Sequence, residues 1–276
     1  QLKAVTATHG PVLILAGAGS GKTTVLVNRI AYLIKYGDAY NSDYVPTFFQ
    51  EDTSAASDYL EGKSELPDFW NMAVEPAKPW EILAITFTNK AAGELKERIA
   101  AKLGSENSGV VAGTFHSVCG RILRRFGEHV GYTSNFTIYD TDDQKRLIKD
   151  LIKANNFDDK IVPVKTVMNA ISAAKDKLIS PEDFAQNIGS DIRERMISKL
   201  YTQYEERLLS SDAMDFDGMI FNTVKLFKEN PDVLAYYSNK FKYIMVDEYQ
   251  DTNHAQYKLV KQLASEHRNI CVVGDD

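Results

Sequence analysis

Short apolar runs alternate with amphipathic stretches along most of this 276-residue sequence. Unbroken apolar runs are typical of strands that are covered on both faces of a parallel sheet. The stretches between them, such as TTVLVNRIAYLI and NKAAGELKERIAAKL, repeat apolar residues at helical spacing. This alternation predicts an α/β fold with a doubly wound parallel sheet. The predicted strands are residues 11–17, 82–87, 110–115, 242–248 and 269–275.

Two segments interrupt the alternation. Residues 37–79 show little periodicity and exceed the roughly 2 to 6 residues that usually join a helix to the next strand, so we interpret them as an exposed insertion. The long region between the third and fourth strands contains several amphipathic stretches and almost nothing that alternates at period two. We therefore expect an all-α subdomain at residues 118–212, inserted into an α/β domain formed by residues 1–117 and 213–276.

The net charge of −6 does not decide whether this protein binds nucleic acid. Residues 38–78 contain nine acidic and two basic side chains, so the totals of 38 acidic and 32 basic residues fall to 29 and 30 outside that segment. The acidic bias therefore belongs to the insertion. We expect its charge to repel DNA, and we interpret it as a surface for a protein partner or for regulation.

The composition favours a cytoplasmic protein with no membrane partner. No apolar run approaches the ~20 residues that cross a bilayer, and the first residues lack the features of a signal peptide. Cys119 and Cys271 are too few for a disulfide framework, and the cysteines and histidines show no zinc-ligand spacing. We expect both cysteines to be buried thiols.

The sequence AGAGSGKT follows the first predicted strand and opens a predicted helix. Glycines let backbone N–H groups turn inward around phosphate oxygens, and the helix N-terminus adds partial positive charge. Lys22 is expected to contact the β- and γ-phosphates of ATP, and the Thr23 hydroxyl to bind Mg²⁺. Ala16 stands where the strict P-loop pattern has its outermost glycine. The predicted nucleotide-binding loop comprises Ala18, Gly19, Ser20, Gly21, Lys22 and Thr23.

Two adjacent carboxylates follow the fourth predicted strand in the sequence YIMVDEYQDT. Ligands of open α/β sheets bind at the carboxyl ends of the strands, which is where Asp247 and Glu248 are expected. Asp247 is predicted to hold Mg²⁺, directly or through water, and Glu248 to orient and deprotonate the attacking water. An acidic pair alone is a weak signal, but its combination with the glycine-rich loop predicts ATP hydrolysis.

Several motifs in a fixed order carry a more specific signal, namely LAGAGSGKT, AITFTNKAAGELKERI, GTFHSVCGRILRR, DEYQDT and VVGDD. Together they resemble the motifs of the UvrD, Rep and PcrA family of superfamily 1 DNA helicases, from Gln1 to Asp276 apart from the acidic insertion. The resemblance implies a RecA-like P-loop motor domain, the first of two, with a helical insert. It also implies ATP-driven 3′ to 5′ movement along single-stranded DNA, with single- to double-strand junctions as substrates, in repair or replication.

The same resemblance assigns residues around the nucleotide. Gln1 matches a glutamine that recognises adenine, because one amide both donates and accepts hydrogen bonds. Gln250 and Asp251 match polar positions that link nucleotide state to the DNA track. Thr24 stands where relatives often have an arginine near the base, so we expect weaker nucleotide affinity.

The resemblance also assigns DNA contacts to two segments, which follow strands at the same sheet edge as the P-loop. Phenylalanine rings there would offer stacking faces worth about 1 to 3 kcal/mol per base, and threonine and asparagine can contact phosphate without net positive charge. A phenylalanine that ends a strand is, however, more often part of the core. The matching residues are Thr86, Phe87 and Asn89 in the first segment and Thr114, Phe115 and His116 in the second.

Basic residues elsewhere leave two interpretations open. Arg121, Arg124 and Arg125 are spaced to follow a DNA backbone or to form a solvated helix face. Lys175 and Lys177 in the helical insert are candidates for contacts with duplex DNA.

The sequence ends in ICVVGDD, where the family continues into a second motor domain that supplies arginines at the γ-phosphate. We expect these residues alone to bind nucleotide weakly, to hydrolyse it very slowly and to unwind nothing. A helicase-nuclease of the RecB or AddA type, a nucleotide-gated DNA-binding module and a metabolic P-loop kinase are the alternatives. An intact Lys22, Asp247 and Glu248 disfavour a module without catalysis.

Overall fold

The computed structural model describes residues 1–17, 19, 21–44, 54, 57–58, 61–63, 73–104 and 109–275. It confirms the predicted α/β fold and all five predicted strands, each slightly shorter than expected. The predicted loop residues Ala18 and Ser20, and much of the acidic insertion, lie outside the described residues. In chain order the strands are β1 Val12–Leu15, β2 Ile82–Thr86, β3 Val111–Thr114, β4 Thr137–Tyr139, β5 Ala213–Asp215, β6 Tyr243–Val246 and β7 Ile270–Gly274.

The main sheet has the order β1-β7-β6-β2-β3, and all of its neighbouring strands are parallel. Strand β7 thus separates β1, which precedes the glycine-rich loop, from β6, which precedes the carboxylates. Strands β4 and β5 form a separate two-stranded parallel sheet that the sequence analysis did not predict. Each has only three residues, too few for a period-two pattern to be recognised.

The helices form where the sequence has helical periodicity and local end signals. For example, the Thr88 hydroxyl caps one of them by accepting a hydrogen bond of 3.1 Å from the Ala91 N–H. In chain order the helices are α1 Leu2–Thr6, α2 Lys22–Lys35, α3 Asn89–Leu103, α4 Phe115–Phe126, α5 Thr141–Ala154, α6 Val164–Asp176, α7 Pro181–Gln186, α8 Ile192–Ser210, α9 Phe216–Glu229, α10 Pro231–Lys240 and α11 His254–Leu263.

The chain divides into two compact units. The first comprises residues 1–114, 238–250 and 264–276 and contains the main sheet, whose core joins apolar residues of α2 and α3 to the strands. The second comprises residues 115–237 and 251–263 and contains the helices of the predicted insert. This unit extends beyond the predicted 118–212, because α9 packs against α4 and α11 within it.

A buried ionic cluster lies in the helical unit and corrects one interpretation of the sequence. The side chain of Lys175 is 1% exposed, and its ammonium donates to both carboxylate oxygens of Asp215 at 2.8 Å and pairs with Glu205 at 2.6 Å. Tyr204 also donates to Asp215, at 2.8 Å. Lys175 is therefore a core residue and does not present a cation to duplex DNA.

Two arginines of α4 are also held by local contacts. Arg124 donates to the Ser134 carbonyl at 2.8 Å and lies over the Phe136 ring, and Arg125 donates to the Tyr236 hydroxyl at 2.6 Å. These contacts favour a structural role for Arg124 and Arg125 over contacts with a DNA backbone.

The acidic insertion leaves the sheet at its amino-terminal edge. Its described base is closed by backbone hydrogen bonds from Asp38 N to Val74 O, 2.7 Å, and from Val74 N to Tyr36 O, 3.0 Å. Thr86 and Thr114 end β2 and β3 at the opposite edge. A strand of this length spans roughly 16 Å, beyond the ~8 Å over which salt screens charges. The described base is therefore too far from these residues to repel DNA there.

Cys119 and Cys271 are free and buried, as predicted. Burial raises the pKa of the Cys119 thiol to about 12 and that of Cys271 to about 11. No helix in the described part of the chain is both long and apolar enough to cross a membrane.

Candidate nucleotide-binding site

The glycine-rich loop connects β1 to the first residue of α2. Gly19 and Gly21 have φ angles of 76° and 83°. Glycine adopts this left-handed backbone without the steric penalty that a side chain brings. Gly21 is also the N-cap of α2, so the unpaired N–H groups of the first helical turn face the loop.

Lys22 is the first residue of α2, and its side chain is only 13% exposed. Its ammonium donates to the Ala16 carbonyl at 3.0 Å and forms an ion pair with Asp275. Asp275 is a residue of this site that the sequence motifs did not identify, although an acid directly after β7 was a usable signal. Two oxygen partners thus hold the ammonium within the loop.

The Thr23 hydroxyl donates a hydrogen bond of 3.0 Å to Oδ2 of Asp247. Asp247 directly follows β6, is 8% exposed, and donates its N–H to the Ile85 carbonyl at 3.0 Å. The neighbouring ends of β6 and β2 therefore fix the carboxylate. The structure brings the predicted metal-binding threonine and aspartate together.

Glu248 is exposed and has a φ of 53°. Non-glycine residues adopt this left-handed backbone rarely and at some energetic cost, often at functional sites. Its N–H donates to Oδ1 of Asp247 at 3.1 Å. The turn thus holds the Asp247 carboxylate while the Glu248 side chain stays accessible to water.

Gln250 connects the ends of two strands. Its Oε1 accepts a hydrogen bond of 3.0 Å from the Asp275 N–H. A Cβ at Gly274 would lie 3.0 Å from the same Oε1, so a side chain there would displace Gln250. Contacts therefore run from Lys22 through Asp275 to Gln250.

The two residues predicted near the base lie on helices that pack against each other. Gln1 is exposed and is the N-cap of α1, which packs on α2. Thr24 is exposed on the first turn of α2. Their contacts with a nucleotide remain predictions.

The oxygen donors of Thr23 and Asp247 fit a magnesium ion. Mg²⁺ in proteins is usually held by one or two carboxylates together with phosphate and water oxygens. Within the described residues, no group of three or more His, Cys, Asp and Glu side chains could hold a metal ion. One carboxylate and one hydroxyl suit an ion whose other ligands are phosphate and water oxygens.

The first predicted DNA-contacting segment lies at the carboxyl end of β2, beside the end of β3 where the second segment begins. Thr86 pairs in register with Thr114, and both are buried at 2% and 6% exposure. The Thr86 hydroxyl already donates to the Thr88 carbonyl at 3.1 Å. Phe87 is half-buried and Asn89 is exposed at the start of α3.

The second segment buries its phenylalanine and leaves its histidine half-buried. Phe115 is 1% exposed, so its ring offers no face for stacking on a base. His116 is half-buried, and its ring meets the exposed Phe216 edge-on with centroids 5.4 Å apart. Burial lowers the pKa of His116, partly offset by the charge of Asp217, and so favours the neutral imidazole.

The parallel sheet, the loop that opens α2 and the aspartate that ends β6 form the arrangement of P-loop proteins. A family model described as "UvrD/REP helicase N-terminal domain" matches residues 1–54 and 69–276. The chain belongs to this family, as the ordered motifs predicted. The unmatched residues 55–68 fall within the acidic insertion.

Curated relatives share this similarity along the whole chain. The chain is 44% identical over 275 residues to the ATP-dependent DNA helicase PcrA of Bacillus subtilis (strain 168). Proteins of the same name from Staphylococcus aureus (strain Mu50) and Staphylococcus epidermidis show the same identity, 44% over 275 residues. The match covers 100% of this chain and 32% of each relative. The chain thus spans about a third of their length.

Proposed function

We propose that this chain is the ATP-binding part of a DNA helicase or translocase that moves 3′ to 5′ along single-stranded DNA. Family membership and relatives named ATP-dependent DNA helicase PcrA support the proposal. The observation that carries it is the 3.0 Å hydrogen bond between Thr23 and Asp247, since it joins predicted metal-binding positions 224 residues apart. The relatives are about three times longer, which leaves room for a second motor domain.

Each residue of the site has a chemical role in this proposal. Lys22 exchanges its Asp275 partner for phosphate oxygens when ATP binds. Thr23 and Asp247 hold Mg²⁺, which neutralises charge on the phosphates. Glu248, exposed beside them, orients the attacking water and accepts its proton.

DNA lies along the carboxyl ends of β2 and β3 in this proposal. Thr86, Asn89 and Thr114 contribute hydroxyl and amide groups, which bind phosphate without requiring a cationic surface. The half-buried Phe87 and the neutral His116 contact bases or sugars. The near-neutral charge outside the insertion suits this mode of binding.

The experiment compares ATP turnover by the complete protein with and without single-stranded DNA. We expect strong stimulation by DNA, and displacement of a strand from substrates with a 3′ tail but not from those with a 5′ tail. Lys22→Ala should abolish nucleotide binding and turnover, while Lys102→Ala, at an exposed position on α3, should change neither. Absence of DNA stimulation in the unaltered protein, or full activity of Lys22→Ala, would contradict the proposal.

The isolated 276 residues provide a second test. Without the arginines of a second motor domain, ATP turnover should be about 10³ to 10⁵ times slower than in the complete protein. Strong DNA-stimulated turnover by the isolated residues would show that no second domain is required.

A further inference from the structure

Arg29 is a buried cation that neither the glycine-rich loop nor the DNA-contacting edge uses. It lies on α2 at 1% exposure, on the side of the helix that carries the apolar core residues Leu26, Ile30 and Leu33. Its Nε is buried with no hydrogen-bond partner among the described residues. Burying an incompletely paired guanidinium is costly, so a hydrophobic side chain would serve the core better.

The hydrogen bond that Arg29 does form leads to the N-terminal helix. Its Nη1 donates to the Ala4 carbonyl at 2.8 Å. Helix α1 has only five residues, Leu2–Thr6, and the last four carbonyls of a helix have no partner within it. Arg29 supplies one of these missing partners, and the side-chain amide of Asn41 supplies another by donating to Thr6 O at 3.1 Å.

The residue that Arg29 holds is itself bonded to Gln1. The Ala4 N–H donates to the Gln1 carbonyl at 3.0 Å, and the Val5 N–H donates to the same oxygen at 3.1 Å. A single helical turn is not stable by itself in water. The position of Gln1 therefore depends on the bonds that fix α1 from outside.

Helix α2 also determines where the phosphates bind. Lys22 is its first residue, and Arg29 follows about two turns later, roughly 10 Å along the axis at about 1.5 Å per residue. The rigid planar guanidinium suits such a fixed connection better than a flexible lysine. One helix thus carries the phosphate-binding cation at its start and the support of α1 farther along.

We propose that Arg29 is a positioning residue for base recognition, which fixes α1 so that Gln1 meets the adenine of a nucleotide whose phosphates bind Lys22. This inference rests on the proposed function, in which Gln1 contacts the base. Arg29 does not touch the nucleotide. Its contribution should therefore appear for ligands that have a base and vanish for ligands that lack one.

The experiment measures affinities of the complete protein for ATP and for inorganic tripolyphosphate, each with Mg²⁺, by calorimetry. Arg29→Lys keeps the positive charge but lacks the planar guanidinium group, and Gln1→Ala removes the side chain that contacts the base. We expect each to weaken ATP binding about tenfold, the scale of one hydrogen bond, and to change tripolyphosphate binding less than twofold. The KM for ATP should rise while kcat is retained. The control Arg98→Lys, at an exposed position on α3, should alter nothing.

The double variant of Arg29→Lys and Gln1→Ala should bind ATP only slightly more weakly than either single variant, because both changes act through the same contact with the base. The inference would be overturned if Arg29→Lys weakened the binding of ATP and of tripolyphosphate equally, or if it left ATP binding unaltered. If Arg29→Lys does not fold, Asn41→Ala, at an exposed position, provides the test instead. It should weaken the binding of ATP by a smaller factor and leave the binding of tripolyphosphate unchanged. Failure of the unaltered protein to bind either ligand would instead refute the proposed function.

Discussion

Thr23 and Asp247 are joined by a hydrogen bond of 3.0 Å although 224 residues separate them in the chain. The parallel sheet explains the meeting, because the loop after β1 and the turn after β6 both lie at the carboxyl ends of their strands. Strand β7 lies between β1 and β6, so it is the side chains of Thr23 and Asp247 that bring the two segments into contact.

Asp247→Asn should separate metal-dependent chemistry from nucleotide binding. An amide keeps the size of the carboxylate but loses the charge that attracts Mg²⁺, and a catalytic metal ion contributes several kcal/mol. We expect ATP turnover to fall roughly 100-fold or more, while ATP binding in EDTA changes little because Lys22 is intact. Asp159→Asn, at an exposed position, is the control. Normal ATP turnover by Asp247→Asn would show that Asp247 does not bind the metal ion.

Glu248→Gln should abolish the chemical step and leave binding intact. Its exposed carboxylate is the predicted base, and loss of a general base usually lowers the rate by about 10² to 10⁴. Single-turnover hydrolysis in the complete protein should show this loss, and calorimetry should show unchanged ATP affinity. A rate within a factor of about three of the original would mean that another group accepts the proton.

Gly21→Ala should destabilise the first unit by about 1 to 2 kcal/mol, the cost of left-handed backbone for a residue with a Cβ. Its φ is 83°, and an added Cβ would come no closer than 3.9 Å to Thr24, so conformation rather than collision sets the cost. Gly17→Ala is the matched control, because its φ is not positive and its Cβ would meet no described residue within 4 Å. Chemical unfolding of both variants measures the difference. Equal destabilisation would contradict this explanation.

Lys175→Met should destabilise the helical unit in a manner that depends on pH. Burial raises the pKa of both Asp215 and Glu205; contact with Lys175 then brings the pKa of Asp215 below its usual value, while that of Glu205 stays above its own. Asp215 thus stabilises the fold above its unfolded pKa near 3.8, and this contribution is lost as pH falls through the lower folded pKa.

Without Lys175, the carboxylates of Asp215 and Glu205 lose their counter-ion. We therefore expect the free energy of unfolding to fall by about 3 to 5 kcal/mol at pH 7. Both carboxyl pKa values should then lie above the unfolded values, so protonation relieves the buried charge and the loss should shrink at pH 5. Urea unfolding at the two pH values measures this, with exposed Lys149→Met as the control. If Lys175→Met lowers the free energy of unfolding equally at both pH values, unpaired carboxylate charge is not the cause of the destabilisation.

The strands, the glycine-rich loop and the helicase family could be predicted from the sequence because their signals are local. Unbroken apolar runs mark strands covered on both faces, and the residues AGAGSGKT specify their own turn and helix start. The order of the motifs was sufficient to identify the family, which the family match confirmed.

The partners of charged and aromatic side chains were decided by the tertiary structure. Lys175 is a candidate for DNA contacts in the sequence, and only the tertiary structure shows that it and Arg29 are buried. Phe115 lies in a predicted DNA-contacting motif, yet it is the first residue of α4 and its ring is buried. Asp275 pairs with Lys22 because β7 lies beside β1 in the sheet. Burial and pairing depend on residues far away in the chain, and a sequence pattern records only what lies within a few positions.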